Sequence, residues 1–133
     1  IGSNIGLYSI YSTINNKGSK FKALKEEKVL VFSLDDLISL KVIQIPNYIK
    51  IDVDGNEKNI LKGMRLTLSN KNIRSVFIEI NNYSKNINFY KNYLSKFDLF
   101  PDNKFNNLKN HSSVRRLENN NSECVNTVFS RNN

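Results

Sequence analysis

Three carboxylates gather at the end of one apolar run. Ile49-Lys50-Ile51-Asp52-Val53-Asp54-Gly55-Asn56-Glu57 reads as a strand, a glycine turn and the first residue of a helix. In open α/β sheets ligands bind just outside the carboxyl ends of the strands. Asp52 and Asp54 therefore stand where a ligand or a reacting group would meet them. Acids also suit a first helical turn, which accounts well for Glu57 and reasonably for Asp54. It does not account for Asp52, on a strand otherwise built of Ile and Val. A carboxylate there needs a partner, a ligand or water. Read alone, it can hold a metal, a sugar or nothing, and for a metal one cluster without His is a thin coordination set.

Two further groups bear on the same chemistry. Gly2-Ser3-Asn4-Ile5-Gly6 is a glycine-bearing turn ahead of a helix. Such a turn lets the backbone approach a ligand and presents N–H groups at the helix start, although many similar turns merely cap helices. Glu79 closes the next apolar strand and falls on the same expected sheet edge, where a surface-satisfied acid is an equally good reading. His111, the one histidine, lies in a polar loop beside Ser112 and Ser113 with no spacing that suggests a catalytic triad. Cys124 reads as a small buried or edge residue.

These residues have to be positioned by alternating strands and helices. A helix to about Thr13 follows the glycines, and Asn15 to Ser19 forms a loop. Lys20 to Leu24 and Lys28 to Phe32 read as strands. Ser33 then caps a helix with Asp36 three residues on, a capping-box variant with acids in the first turn. Past Pro46 the strand Tyr48 to Val53 leads into a helix from Glu57 to about Asn70, with Ile60, Leu61, Met64 and Leu68 on one face. Ser75 to Ile80 is a strand, and Phe89 to Phe97 a helix buried through Phe89, Tyr90, Tyr93, Leu94 and Phe97. Asn103 to Asn121 is polar and loop-like, and Val125 to Phe129 is a terminal strand. The alternation predicts a mostly parallel sheet with an antiparallel last strand.

Composition bounds the reading. At 133 residues and 39% apolar the chain is one domain with a real core, not a disordered segment. No run approaches the roughly 18 apolar residues of a membrane span, and no signal-peptide pattern is visible. One cysteine cannot form an internal disulfide and fits a reducing compartment, the cytoplasm. The net charge of +8 invites a nucleic-acid reading. Yet 15 of the 20 basic residues are Lys scattered from Lys17 to Lys109, amid 23 Asn. Without a base-stacking motif or an arginine cluster, that is a compositional bias and not a phosphate-binding face.

Together, five segments in order resemble the FkbM family of S-adenosylmethionine-dependent methyltransferases. They are Gly2-Ser3-Asn4-Ile5-Gly6-Leu7-Tyr8-Ser9, Ser33-Leu34-Asp35-Asp36-Leu37, Ile49 to Glu57 with Leu61-Lys62-Gly63, Phe77-Ile78-Glu79-Ile80, and Asn126-Thr127-Val128-Phe129. The resemblance implies a Rossmann-like class I methyltransferase sheet in a single domain over 1–133, with S-adenosyl-L-methionine as cofactor. It implies O-methylation of a sugar or natural-product-like hydroxyl, with a small-molecule or glycan acceptor and no nucleic-acid partner. Gly2, Ser3, Asn4 and Gly6 would cradle the methionine part of the cofactor, and Glu26 would stand in for the ribose-binding acid. Asp52 would line the cofactor or substrate side, while Asp54 and Glu57 would shape the acceptor side. If the acceptor must lose a proton, Asp52, Asp54 or Glu79 would take it.

The chain also departs from the family pattern. The apolar strand and acid that precede the glycines in the family are not in this sequence. Only about eight residues separate Leu24 from Ser33, where the family has a further helix and strand. The expected sheet is therefore incomplete in its N-terminal half. A degenerate, non-catalytic α/β domain kept for interaction or structure is the alternative reading, and it predicts a folded chain that ignores the cofactor.

Overall fold

The alternation along the strand Ser75–Asn81 sets the layout of the molecule. Val76, Ile78 and Ile80 are fully buried, while Ser75, Phe77, Glu79 and Asn81 on the opposite face are half-buried. Period two thus gives this strand one core face and one open face. The computed structural model describes residues 30–53, 55–106, 114–116 and 123–131.

The described elements run α1 (Leu34–Ser39), β1 (Tyr48–Ile51), α2 (Glu57–Lys62), α3 (Arg65–Ser69), β2 (Ser75–Asn81) and α4 (Tyr83–Leu94). A 3₁₀ turn over Ser95–Phe97 follows, then β3 (Phe100–Pro101), α5 (Asn103–Asn106), β4 (Val114–Arg116) and β5 (Glu123–Ser130). β1 pairs in parallel with β2, and β5 lies antiparallel along the other edge of β2 from Ser75–Ser130 to Asn81–Cys124. The outer edge of β5 takes β3 at its C-terminal end and β4 at its N-terminal end. These pairings make β1, β2, β3 and β4 run one way and β5 run against them.

The fold is therefore a mixed α/β layer structure, and its C-terminal strand is antiparallel as expected. The expectation of a mostly parallel sheet needs qualifying. Because β5 inserts between β2 and the β3/β4 edge, the described strands keep a single parallel ladder, β1–β2. On the core face, Ile60 and Leu61 of α2, Met64, Leu68 of α3, and Ile87, Tyr90 and Leu94 of α4 cluster with Ile51, Val76, Ile78, Ile80 and Phe129.

Local chemistry explains the element boundaries. Ser33 and Asp36 form a full capping box at α1: the Asp36 N–H donates to Ser33 Oγ, and the Ser33 N–H donates to Asp36 Oδ2. The expected helix from Glu57 to Asn70 is two helices, broken at Gly63 and Met64. There the Gly63 carbonyl accepts the Asp35 N–H of α1 at 3.1 Å. The α4 helix begins at Tyr83, six residues before Phe89. Its buried stripe is Ile87, Tyr90 and Leu94, with Phe89, Tyr93 and Phe97 half-buried beside it. Asn82, in the left-handed region at φ 50, turns the chain into this helix without a side-chain cap, so the usual start signal is missing.

The polar stretch after Pro101 also holds structure. Asp102 Oδ1 accepts the Phe105 N–H at the head of α5, and residues 114–116 add β4 to the sheet edge. The expected helix to Thr13, the strand Lys20 to Leu24, most of the strand Lys28 to Phe32, His111 and the N-terminal incompleteness of the sheet lie outside the described residues. Among the described residues no helix is long and apolar enough to cross a membrane.

Candidate active site

β1 and β2 run in parallel, so their carboxyl ends share one edge of the sheet, where ligands bind in this class of fold. Ile51 is the last paired residue of β1 and lies opposite Ile78. Asp52 and Glu79 follow directly on these two, so each strand delivers one acid to that edge. Asp52 is exposed and its Oδ2 lies 2.9 Å from Lys50 Nζ. Lys50 in turn lies over the Phe77 ring, 5.7 Å from its centroid.

Glu79 sits on the open face of β2, between Phe77 and Asn81, and is half-buried. Its cross-strand neighbour on β5 is Asn126. Residues directly opposite in an antiparallel pair project from the same face. The carboxylate and the carboxamide therefore stand side by side. Phe105 of α5 packs edge-on against Phe77, with ring centroids 6.1 Å apart, and gives this part of the open face an apolar border.

Glu57 has a different setting. It is 3% exposed at the first position of α2, and its Oε1 accepts the Gly55 N–H at 3.0 Å. Gly55 lies at φ +99, a conformation that strains any L side chain, and Asn56 N–H closes the turn onto Val53 O. The Glu57 carboxylate thus ties the loop after β1 to the start of α2. Asp54 lies outside the described residues, as do Gly2, Ser3, Asn4, Gly6 and Glu26. Among the described residues no group of three or more His, Cys, Asp or Glu is placed to hold a metal ion.

Burial of Tyr90 beside Glu57 has an electrostatic consequence. Loss of solvent around the Tyr90 hydroxyl, and then the negative charge of Glu57, push its pKa up to about 12 from the ordinary 10.0. Between those values the unfolded chain has released the phenol proton and the folded chain has not. The unfolded state then binds fewer protons, so stability falls as pH rises from about 10 towards 12. The expected result is that Tyr90→Phe removes this component of the alkaline stability loss in urea titrations. Glu57→Gln, which keeps an acceptor for Gly55 but drops the charge, should lower the Tyr90 pKa in an ultraviolet phenolate titration. An alkaline profile identical in wild type and Tyr90→Phe would sink the assignment.

Sequence reasoning missed two structural polar centres. The Asp35 carboxylate accepts the Leu66 and Thr67 N–H groups and the Thr67 hydroxyl at 2.9, 2.8 and 2.6 Å. The Arg131 guanidinium, 11% exposed, donates to the carbonyls of Leu68, Asn70 and Ile73. Both join residues far apart in sequence, so no local spacing could have revealed them.

The family pattern of the methyltransferase FkbM domain matches residues 2–123 of the chain. That span contains both carboxyl-end acids and the loop that Glu57 closes. No curated protein and no solved structure matches the chain. With the match covering most of its length, the chain belongs to the FkbM methyltransferase domain family.

Proposed function

We propose that this domain transfers a methyl group from S-adenosyl-L-methionine to a hydroxyl of a sugar or natural-product-like small molecule, on a Rossmann-like class I scaffold. The observation that supports this reading is the delivery of Asp52 and Glu79 by adjacent parallel strands to one sheet edge, in a chain of a methyltransferase family. The cofactor, when bound, supplies an electrophilic methyl group on a sulfonium centre. Of the residues proposed to hold it, Asp52 is described. Its carboxylate is 44% exposed beside Lys50, which leaves room for a hydroxyl or ammonium donor of a ligand and fits the assignment. Gly2, Ser3, Asn4, Gly6 and Glu26 complete the proposed cofactor set.

The chain's own tasks are then alignment and handling of a proton. Holding the acceptor oxygen in line with the methyl group removes most of the entropic cost of the encounter. A carboxylate within reach of the acceptor hydroxyl can accept its proton. Asp52, Asp54 and Glu79 are the proposed candidates, with Asp54 and Glu57 on the acceptor side. The buried setting of Glu57 suits it to shaping that side through the Gly55 turn.

Calorimetric titration with S-adenosyl-L-methionine tests the reading directly. Saturable binding is expected, and Asp52→Ala should weaken it about tenfold, the scale of one hydrogen bond to a charged group. A wild-type chain that is folded by circular dichroism yet gives no heat at millimolar ligand would overturn the proposal. It would leave the alternative of a non-catalytic α/β domain.

A further inference from the structure

Glu79 has a cross-strand neighbour that no local spacing in the sequence singles out. Asn126 lies directly opposite it in the β2–β5 ladder, and both side chains project from the open face at the end of the sheet that carries Asp52. Both are half-buried. No side-chain hydrogen bond or ion pair joins either group to another described residue. On the same face Lys50 is engaged with Asp52, and at the far end of the ladder Ser75 pairs with Ser130 and Ser130 with Asp102. Directly opposed residues have Cβ atoms about 5 Å apart. One carboxylate acceptor and one carboxamide donor at that separation can reach a single oxygen placed between them.

We infer that Asn126 and Glu79 together grip one acceptor hydroxyl, with Asn126 the second polar contact of the acceptor site. The hydroxyl donates its proton to a Glu79 carboxylate oxygen, and its oxygen accepts a hydrogen bond from the Asn126 NH₂ group. In the proton step the acceptor O–H bond breaks, its electron pair stays on oxygen, and the proton goes to Glu79 as a neutral carboxylic acid. The Asn126 donor then faces the oxygen on which negative charge develops, which is where a fixed dipole lowers a barrier. A carboxylate alone can take the proton but offers that oxygen no donor beforehand, so the amide beside it gives the pair its use. The Phe77 and Phe105 rings border the same face and suit the apolar side of a sugar ring or an aromatic acceptor.

This assignment rests on the methyl-transfer reading, and the two can fail separately. The first measurement needs no turnover. The Asn126 side-chain NH₂ signals, identified by their loss in Asn126→Ala, are followed in nitrogen–proton correlation spectra. The probes are methyl α-glucoside, methyl α-mannoside and myo-inositol at high concentration, with and without S-adenosyl-L-methionine. At least one polyol should shift these signals saturably, and less so in Glu79→Gln. The second measurement uses labelled methyl transfer to whichever polyol binds. Asn126→Ala should raise the acceptor KM about tenfold, the loss of one neutral hydrogen bond, while the donor affinity by calorimetry stays at the wild-type value. Asn126→Ser, which keeps a small donor, should recover part of that loss.

Asn126 signals unmoved by all three polyols would overturn the inference, whether or not the donor binds. Donor affinity falling in step with acceptor affinity in Asn126→Ala would overturn it too. Missing donor heat alongside saturable Asn126 shifts would strike at methyl transfer and leave the hydroxyl-gripping pair standing.

Discussion

Replacing Arg131 with alanine is expected to destabilise the fold by about 3 kcal/mol, a fall in Tm of roughly 10 °C for a chain of this size. The side chain is 11% exposed, and it reaches three backbone carbonyls: Ile73 through Nε at 2.7 Å, and Leu68 and Asn70 through Nη2 at 2.6 and 3.1 Å. Leu68 lies in the last turn of α3 and Asn70 is its C-cap, so their carbonyls have no partner within the helix. Ile73 is fully buried just ahead of β2. Truncation strands the Leu68 and Ile73 carbonyls, while Asn70 O keeps the Ile73 N–H at 3.1 Å. Each buried unmade hydrogen bond costs about 1 kcal/mol or more, more where the lost partner is charged. The neighbouring ion pair gives the contrast. Lys71 Nζ lies 2.6 Å from Asp98 Oδ2, closer than the 3.6 Å from Arg131 Nη1. Hydrogen bonding to Lys71 holds the Asp98 carboxyl below its ordinary pKa, but both partners are exposed. Exposed pairs contribute little, so Lys71→Ala should leave Tm nearly unchanged. Arg131→Lys should recover part of the loss, because an ammonium can satisfy one or two of the carbonyls but cannot span all three. Thermal melts of the three variants check this ordering. Equal effects of Lys71→Ala and Arg131→Ala would show that charge, and not the capped carbonyls, is what matters.

The same residue shows where sequence reading reached and where it stopped. Features that depend on neighbours in sequence were legible. Ser33 and Asp36 sit three apart and form the capping box. The apolar run Ser75 to Ile80 was legible as a strand, although its one buried face came only from the structure, and Val125 to Phe129 fell inside β5. Asp52 at the end of β1 and Glu79 fell at one sheet edge as the parallel pairing requires. Features that depend on distant partners were not legible. Arg131 binds carbonyls about sixty residues away, a contact that leaves no periodicity behind. Nor could the pattern Ile60, Leu61, Met64, Leu68 reveal the break at Gly63, because all four side chains are buried in one core on either side of it. Asn126 was visible only as part of a resemblance. Its place opposite Glu79 follows from the strand register, which a chain read one residue at a time does not contain.

Asp35→Ala should cost about 3 kcal/mol, although the residue looks in sequence like one more acid in a first helical turn. The α3 helix starts at Arg65 after Met64, which has no side-chain oxygen to cap it. Its N–H groups are met by another helix instead: Asp35 Oδ2 accepts from Leu66 at 2.9 Å, and Oδ1 accepts from Thr67 N–H at 2.8 Å and from Thr67 Oγ1 at 2.6 Å. Asp35 N–H donates to Gly63 O in return, so α1 is clamped across the break between α2 and α3. An ordinary N-cap contributes about 1 kcal/mol. Here a charged acceptor serves two backbone donors and the hydroxyl of Thr67, a residue 4% exposed. Its loss leaves both Thr67 donors unpaired while the exposed Leu66 N–H returns to water. Asp35→Asn keeps one acceptor oxygen and should recover about half. Thr67→Val isolates the hydroxyl, and a double-mutant cycle of Asp35→Ala with Thr67→Val should give a coupling of about 1 kcal/mol in urea melts. Strictly additive effects would mean that the hydroxyl bond contributes nothing and the backbone cap carries the whole. The clamp also bears on the proposed active site. α2 begins at Glu57, whose carboxylate fixes the Gly55 turn beside Asp52. Loosening the far end of α2 at Gly63 should therefore weaken donor binding in Asp35→Ala at temperatures where the variant is still folded. Donor affinity equal to wild type under those conditions would confine the Asp35 clamp to stability alone.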